Sequence, residues 1–153
     1  MKKTAIVLTA IVTLFAASAF ALDGDNVSAT VAAAFKSDFS QVNQVTWKKK
    51  SDFYFAVFQL NNVNVEVAYD EGGELVGSSR NIAPAQIPLS VSLTLSKKYG
   101  EYAISEQVLE LTYEGQTRYY FSVENDKQVV QLKCYSNGEI DVEGKTKKEQ
   151  VKS

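Results

Sequence analysis

The stretches YDEGGEL, at Tyr69–Leu75, and CYSNGEI, at Cys134–Ile140, decide the fold that this sequence predicts. Both are short polar turns that end in Gly-Glu and an aliphatic residue, and their glycines, Gly73 and Gly138, are 65 positions apart. Glycine and small polar residues are typical of tight turns. A chain of 153 residues that contains the same turn twice is expected to contain the same structural unit twice.

The residues before the two turns alternate in the same register. At an offset of 65, Val65 aligns with Val130 and Val67 aligns with Leu132. Successive side chains of a strand point to opposite faces, so these coinciding apolar positions place the same face inward in both copies. Each copy is therefore predicted to be an antiparallel hairpin that leads into a polar turn.

A helix is predicted before each set of strands. Here the offset between the copies is 60, and apolar residues recur every four positions, which is the spacing of one helical stripe. Asn26 or Ser28 is placed to cap the first helix, because either side chain can accept a bond from a free backbone N–H group. The aligned positions are Val27, Val31, Phe35 and Phe39 in the first copy and Ile87, Val91, Leu95 and Tyr99 in the second.

One segment supports two interpretations. LSVSLTLS, at Leu89–Ser96, alternates strictly, and this pattern taken alone predicts a strand. Pro88 fits the first turn of a helix and Gly100 fits its end. Because the repeat also predicts a helix here, we favour the helix.

The pattern as a whole predicts an α+β fold of two tandem helix-plus-antiparallel-sheet units. Adjacent strands with short turns form antiparallel sheets, and a helix must cover the apolar face of each. Such small units bury little apolar surface alone, so we expect the two copies to share a core or to pack closely. The predicted strands are Asn43–Lys50, Phe53–Leu60, Val63–Tyr69 and Glu74–Asn81, then Glu101–Tyr113, Gln116–Glu124, Lys127–Tyr135 and Glu139–Glu143.

The N-terminal segment is predicted to be a secretory signal peptide. Lys2 and Lys3 precede the apolar run Ala5–Ala17, and small residues follow, which is the order of a signal with its cleavage site. Cleavage after Ala21 is the first choice and cleavage after Ala19 the second. The alternative is a membrane anchor, but the run is shorter than the roughly 20 residues that cross a bilayer. We expect a bacterial protein that is periplasmic or secreted, with no membrane insertion after signal removal.

The predicted division of the chain follows from the signal and the repeat. Residues 1–21 are the signal peptide, 22–83 the first α+β unit, 84–146 the second and 147–153 a polar tail, with 22–146 forming one domain. The signal contains two of the 16 basic residues and none of the 18 acidic ones. The mature chain therefore has 14 basic and 18 acidic residues, and its net charge is −4. A mildly acidic chain disfavours nucleic acid and anionic membrane as partners.

The composition disfavours catalysis. The chain has one cysteine, Cys134, and no histidine, so the commonest general base and metal ligand is missing. Cys134 lies on the inward face and is expected to be a buried, inert thiol. Two clusters of acidic residues suggest a hydrolase or a calcium site as alternatives, but their positions in turns and on exposed strand faces explain them more simply. No catalytic residue, metal ligand or cofactor is predicted; the carboxylates considered are Asp70, Glu71 and Glu74, and Glu139, Asp141 and Glu143.

An aromatic strand gives the candidate binding site. FYFAVF, at Phe53–Phe58, is apolar on both faces, and its outward aromatics align at an offset of 65 with the strand that contains YYFSV. Tyr and Arg are common anchors of interfaces, and apolar patches on a sheet mark partners. The alternative is that a neighbouring element covers this face. The predicted binding residues are Phe53, Phe55, Arg118 and Tyr120.

The order of several motifs resembles a known family. Phe39, Val45 and Trp47 form F-x5-V-x-W, and AYDEGGELVG, IPLSVSLTLSKKYGEYAI, YYFSV and SNGEI follow in that order. This order is similar to that of the PepSY-like family of small exported bacterial proteins, also described as beta-lactamase-inhibitor-like. The resemblance implies tandem helix-then-sheet units and a sheet surface that grips a protein. Ile87-Pro88 replaces the usual Leu-Pro, and the family has no agreed catalytic residues to transfer.

Three functions remain open from the sequence. The favoured one is an exported, non-catalytic protein that binds a protein or peptide through an open antiparallel sheet face, with inhibition of the partner left open. The alternative is a structural or envelope-assembly protein that associates with itself through an exposed edge strand. A carboxylate hydrolase ranks last.

Overall fold

The structure is a computed structural model that describes residues 20–22 and 24–149. Most of the predicted signal peptide, residues 1–19, and residues 150–153 of the predicted tail lie outside the described residues. Internal contacts divide the chain between Ser79 and Arg80 into two units, and each is described by itself. Across the described ranges, antiparallel strands dominate, and neither of the two α-helices is long and apolar enough to cross a membrane.

The described part of the first unit contains helix α1, at Ala29–Asp38, preceded by a 3-10 turn at Gly24–Asn26. The strand order is β1-β2-β3-β4-β5, and the pairs from β1 to β4 are antiparallel. β5 runs across the division between the units. The strands are β1 at Phe20–Leu22, β2 at Val45–Lys50, β3 at Phe53–Leu60, β4 at Val63–Tyr69 and β5 at Leu75–Ile82.

The second unit contains helix α2, at Leu89–Tyr99, preceded by a 3-10 turn at Pro84–Gln86. Its strand order is β7-β8-β9-β10, all antiparallel, and the short β6 pairs with the far end of β8. The strands are β6 at Ala103–Ile104, β7 at Val108–Tyr113, β8 at Gln116–Glu124, β9 at Gln128–Tyr135 and β10 at Ile140–Lys147.

Helix α1 begins where the sequence predicted a cap. The Ser28 hydroxyl accepts a bond from the backbone N–H of Val31 at 3.2 Å, which satisfies one of the free donors of the first turn. Val31 and Phe35 are the buried residues of the helix. The Phe35 ring makes edge contacts with Trp47 and Phe58, with centroids 5.2 and 5.3 Å away. Helix α1 therefore packs its apolar stripe on the inward side chains of β2 and β3.

Helix α2 confirms the helical interpretation of LSVSLTLS. Val91 is 0% exposed and Leu95 is 4% exposed, whereas Leu89 and Leu93 are 75% and 54% exposed. A strand would have placed all four on one face, and the helix separates them because four residues make about one turn. Pro88 occupies the capping position, and Gly100 ends the helix with an ordinary φ of −58°.

The repeated glycines place each polar turn against the helix of its own unit. Gly73 and Gly138 have φ of +81° and +92°, the left-handed region that favours glycine. A Cβ added to Gly73 would lie 3.2 Å from the carbonyl oxygen of Thr30, and one added to Gly138 would lie 2.8 Å from that of Ser90. Glycine occurs in both turns because the backbone conformation and the close approach to a helix both require it.

Two strand predictions were wrong in detail. The predicted strand Glu101–Tyr113 is broken into β6 and β7, since Ser105 turns the chain by a hydroxyl bond to the carbonyl of Gln107 at 3.0 Å. The last strand does not end at Glu143: β10 continues to Lys147, the first residue of the predicted tail. A register shift between Val142 and Gly144 lets β10 stay paired with β9.

Each unit has its own buried cluster beneath its helix. Aromatic rings dominate the first cluster and aliphatic side chains the second. The first contains Val27, Val31, Phe35, Trp47, Tyr54, Ala56, Phe58, Val67 and Tyr69. The second contains Ile82, Ile87, Val91, Leu95, Val108, Tyr119, Phe121, Val123, Val130, Leu132 and Cys134.

Candidate functional site

The strands of each unit have a second face, opposite the one that packs on the helix, which we call the outer face. Because side chains alternate along a strand, the neighbours of core residues point to it. In β3, Phe53 and Phe55 alternate with the core residues Tyr54 and Ala56. The predicted site residues of the first unit therefore lie on the outer face of that unit.

Phe55 lies at the centre of the first unit's outer face. It pairs with Lys48 of β2 on one side and with Ala68 of β4 on the other. Phe55 is 2% exposed and Ala68 is 3% exposed, yet neither belongs to the cluster beneath α1. Phe53 is half-buried and pairs with Lys50. Of the two aromatics, Phe53 is the more accessible to a partner.

Arg118 lies on the outer face of the second unit, in β8. It alternates with the core residue Tyr119 and is 8% exposed. One terminal nitrogen of its guanidinium donates to the Gln116 side-chain oxygen at 2.6 Å, and the guanidinium carbon is 5.6 Å from the centre of the Tyr135 ring. The Nε atom of Arg118 is inaccessible to solvent and has no hydrogen-bond partner in the described part of the chain.

Tyr120 follows two positions later on the same face. It is half-buried and pairs with Leu109 and Lys133. Its hydroxyl is inaccessible and, like Arg118 Nε, has no hydrogen-bond partner among the residues described. Burial raises the pKa of Tyr120, and the positive charges of Lys133 and Arg118 oppose that shift only in part. The hydroxyl is therefore protonated at neutral pH, with both a donor and an acceptor unused.

Lys133 lies beside these two residues, but acids neutralise it. Its ammonium group is 3.3 Å from the Asp141 carboxylate and 3.2 Å from that of Glu143. Burial disfavours the charged lysine, but Tyr135 and the two carboxylates outweigh this effect and raise its pKa. Asp141 accepts a bond from the Tyr135 hydroxyl at 2.8 Å, and this bond and Lys133 lower the pKa of Asp141. Within residues 24–149, Arg118 by contrast forms no ion pair.

The structure brings the predicted site residues together as two pairs, one in each unit. Phe53 and Phe55 share β3, and Arg118 and Tyr120 share β8. Sequence reasoning missed Tyr135 and Gln116, which contact Arg118. Tyr135 alternates with the inward Cys134 on β9, and that parity could have placed it on the outer face.

Cys134 confirms its predicted burial. It is 0% exposed, and burial, with a smaller contribution from the Asp141 charge, raises the pKa of its thiol to about 12. A thiol with this pKa is almost wholly protonated near neutral pH, and the thiolate is the reactive form.

We expect the native thiol to react slowly. Cys134 is the single cysteine, so one labelling curve reports on it alone. Reagent uptake should be slow in buffer and fast in denaturant, because unfolding exposes the group and restores its ordinary pKa. Rapid labelling of the folded protein, or a covalent dimer, would contradict this assignment.

The carboxylates considered for catalysis have structural contacts. Asp70 accepts a bond from the backbone N–H of Glu74 at 2.9 Å and so closes its turn. Glu71 lies 3.7 Å from the Lys49 ammonium group. In the described ranges, no group of three or more histidine, cysteine, aspartate or glutamate side chains is placed to hold a metal ion.

An open cavity of 780 Å³ lies at one end of the first unit, and none of its lining side chains is acidic. It offers no pair of carboxylates to a hydrolase. The lining residues are Gln41, Val42, Asn43, Gln44, Val45, Thr46, Val57, Phe58, Gln59 and Asn64.

The fold is similar to those of solved Bacteroides proteins. A BLIP-like protein from Bacteroides fragilis is 20% identical, with a TM-score of 0.63 over 82% of this chain and 91% of that one. A DUF2874 family protein from Bacteroides ovatus is 19% identical, with a TM-score of 0.65 over 81% and 89%. A protein from Bacteroides eggerthii, described as a candidate periplasmic protein, is 17% identical, with a TM-score of 0.64 over 79% and 88%.

These similarities establish the fold. No family model matches the chain, and no curated protein matches it. The similarity to the BLIP-like protein supports the beta-lactamase-inhibitor-like part of the predicted resemblance, as a BLIP-like fold. The PepSY-like assignment stays a prediction.

Proposed function

We propose that this is an exported, non-catalytic protein that binds a protein or peptide partner through the outer faces of its strands. The observation that carries the proposal is the pair of unused polar atoms on the second unit, Arg118 Nε and Tyr120 Oη. A buried polar group without a partner costs about 1–3 kcal/mol. Both atoms are inaccessible to solvent in the free chain, so the two side chains must turn outward on binding. A partner that then supplies hydrogen-bond acceptors recovers the cost, and we assign these two residues as anchors.

The residue types support binding. Arg and Tyr are among the commonest residues whose truncation weakens an interface strongly. Lys133 lies between the Asp141 and Glu143 carboxylates, so these three groups sum to +1 − 2 = −1, and the Arg118 guanidinium, which forms no ion pair among the described residues, balances that charge. In the first unit, Phe53 provides a half-buried ring and Phe55 a buried one beside it. We assign Phe53 to an apolar contact on the outer face of the first unit itself. Phe55 stays a proposed binding residue that a partner reaches only if whatever covers it moves.

Export is supported from two sides. The order of Lys2, Lys3 and the apolar run Ala5–Ala17 is that of a secretory signal. A protein of the same fold from Bacteroides eggerthii is described as a candidate periplasmic protein. We place the mature protein in the periplasm or outside the cell and infer that the two units are tandem copies within one domain, 22–146.

A hydrolase is the weakest candidate. A glycosidase needs one carboxyl group with a raised pKa to act as general acid. The pKa of Asp141 is lowered instead, mainly by the bond from Tyr135. Asp141 and Glu143 both face the ammonium group of Lys133, which favours a structural role.

Self-association is the second candidate, and one observation favours it. Leu89 and Leu93 lie four positions apart on α2 and are 75% and 54% exposed. Exposed leucines on one helical face are a common contact between copies. Sedimentation of the wild type and of Leu89→Ser/Leu93→Ser distinguishes the candidates: a dimer that the double change dissociates favours self-association.

Capture from an envelope extract, with mass spectrometry, tests the binding face. We expect Tyr120→Phe to weaken capture by about 2 kcal/mol, roughly thirtyfold in affinity. Its melting temperature should stay equal or rise, because the lost hydroxyl had no partner to lose. Arg118→Lys should weaken capture similarly, since it keeps the charge and loses Nε.

The matched controls change bonded groups of the same kind. Tyr69→Phe removes a hydroxyl that donates to Asp38 at 2.8 Å, so it should lower stability by about 1 kcal/mol and leave capture unchanged. Arg80→Lys removes the Nε that contacts Glu110 at 2.6 Å. Unchanged capture by Tyr120→Phe and Arg118→Lys would show that this face is not the binding surface.

A further inference from the structure

The edge of the first unit's sheet is occupied by a strand that lies at the predicted cleavage site. β1 pairs antiparallel with β2 through three residues: Phe20 with Lys49, Ala21 with Lys48 and Leu22 with Trp47. The other side of β2 pairs with β3. The outer edge of β2 thus already accepts an extended segment in antiparallel orientation.

The position of cleavage decides whether this edge stays covered. Cleavage after Ala19 leaves all three residues of β1 on the mature chain. Cleavage after Ala21 removes Phe20 and Ala21, and only the pair of Leu22 with Trp47 remains. One residue pair does not hold a strand, because even a complete isolated hairpin is marginally stable. Processing at Ala21 therefore opens the backbone edge at Lys48 and Lys49.

We propose that the mature protein uses the β2 edge to accept an extended acidic segment of a partner by strand addition. The proposal rests on the inferred export and does not use the outer-face residues of the second unit, Arg118 and Tyr120. Backbone bonds of an added strand provide affinity, and alternate side chains provide selectivity. On this edge the selecting side chains are two lysines, Lys48 on the outer face and Lys49 on the opposite face. Opposite charges across a strand pair stabilise it, and like charges destabilise it.

Of the lysine charges on this edge, that of Lys49 is the more available to an incoming strand. Lys49 is 3.7 Å from Glu71, with side chains 37% and 63% exposed, and Lys48 is 3.3 Å from Glu66, with side chains 36% and 17% exposed. An exposed ion pair such as Lys49–Glu71 is weak and exchanges readily, whereas the Lys48–Glu66 pair is partly buried. A second copy of β2 is disfavoured as the occupant, because it would gather the lysines of both copies in one short ladder.

The first arm of the test is N-terminal sequencing of the processed protein purified after export. A mature chain that begins at Leu22 is the expected result. A chain that retains Phe20 keeps β1 and overturns the proposal.

The second arm measures strand addition to that processed protein. The probe is a synthetic peptide of about six alternating Glu and Val residues, a typical strand length, and the matched control replaces Glu by Lys. Trp47, the single tryptophan, lies on β2 and reports binding by fluorescence. We expect saturable binding of the Glu peptide, at least roughly fivefold tighter than the Lys peptide, and slower amide exchange at Trp47–Lys49.

Charge reversal tests the selecting residues. The double variant Lys48→Glu/Lys49→Glu should bind the Lys peptide more tightly than the Glu peptide. If this variant unfolds at too low a temperature to be tested, Lys49→Gln should bind the Glu peptide more weakly than the wild type does. Binding of neither peptide, or equal binding of both, overturns the proposal. Tyr120→Phe should leave binding of the Glu peptide unchanged. The result for strand addition at β2 can therefore be distinguished from the result for partner binding at Arg118 and Tyr120.

Discussion

Leu95→Ala is expected to lower the free energy of unfolding by about 3 kcal/mol, whereas Leu93→Ala should change it by less than about 0.5 kcal/mol. The two leucines are two positions apart on α2, but Leu95 is 4% exposed and Leu93 is 54% exposed. Truncating Leu95 removes apolar contacts and leaves a cavity beneath the helix. Truncating Leu93 removes a side chain that is largely in water.

Denaturant unfolding of both variants measures this difference directly. The same pair also tests the helix itself, because a strand over Leu89–Ser96 would bury both leucines on one face. Equal losses of stability for the two variants would contradict the helical assignment and the core built on it.

Gly138→Ala is expected to destabilise the protein by about 3 kcal/mol. The left-handed backbone at φ +92° costs an alanine about 1–2 kcal/mol. Its Cβ would also lie 2.8 Å from the carbonyl oxygen of Ser90, so the turn or helix α2 must shift, at about 1–3 kcal/mol. The contact is with backbone, which cannot rotate away as a side chain does.

Gly115→Ala is the matched control for this prediction. Gly115 has φ +72°, and a Cβ there would meet no atom within 4 Å. It should therefore show only the cost of the backbone conformation, about 1–2 kcal/mol. Thermal or denaturant unfolding compares the two. Equal losses for Gly115→Ala and Gly138→Ala would show that the turn does not press on the helix.

Much of the fold was predictable from periodicity, except at Leu89–Ser96, where the repeat was needed to choose the helix over the strand that alternation alone predicts. β3 at Phe53–Leu60 and β4 at Val63–Tyr69 have the predicted bounds, since alternation runs between clear turn residues. The break between β6 and β7 carries no glycine or proline and depends on the Ser105 hydroxyl. The extension of β10 to Lys147 is rich in charged residues, which conceal its alternation.

The candidate site was predictable in part. Parity along β8 was enough to place Arg118 and Tyr120 on one face. That Arg118 Nε and the Tyr120 hydroxyl have no hydrogen-bond partner could not be foreseen, because it depends on which side chains come within bonding distance in the folded chain. The 2% exposure of Phe55 could not be foreseen either, since alternation gives the face of a residue and not what covers it.

The Nε–H signal of Arg118 in a nitrogen-15 NMR spectrum tests the central claim most directly. The chain has two arginines, Arg80 and Arg118, so the spectrum contains two such signals, and Arg80→Lys assigns them. When the captured partner is added, the Arg118 signal should shift as Nε gains an acceptor, and the Arg80 signal should not. An unchanged Arg118 signal, with shifts at the Leu89 and Leu93 methyl groups instead, would contradict binding through the outer face.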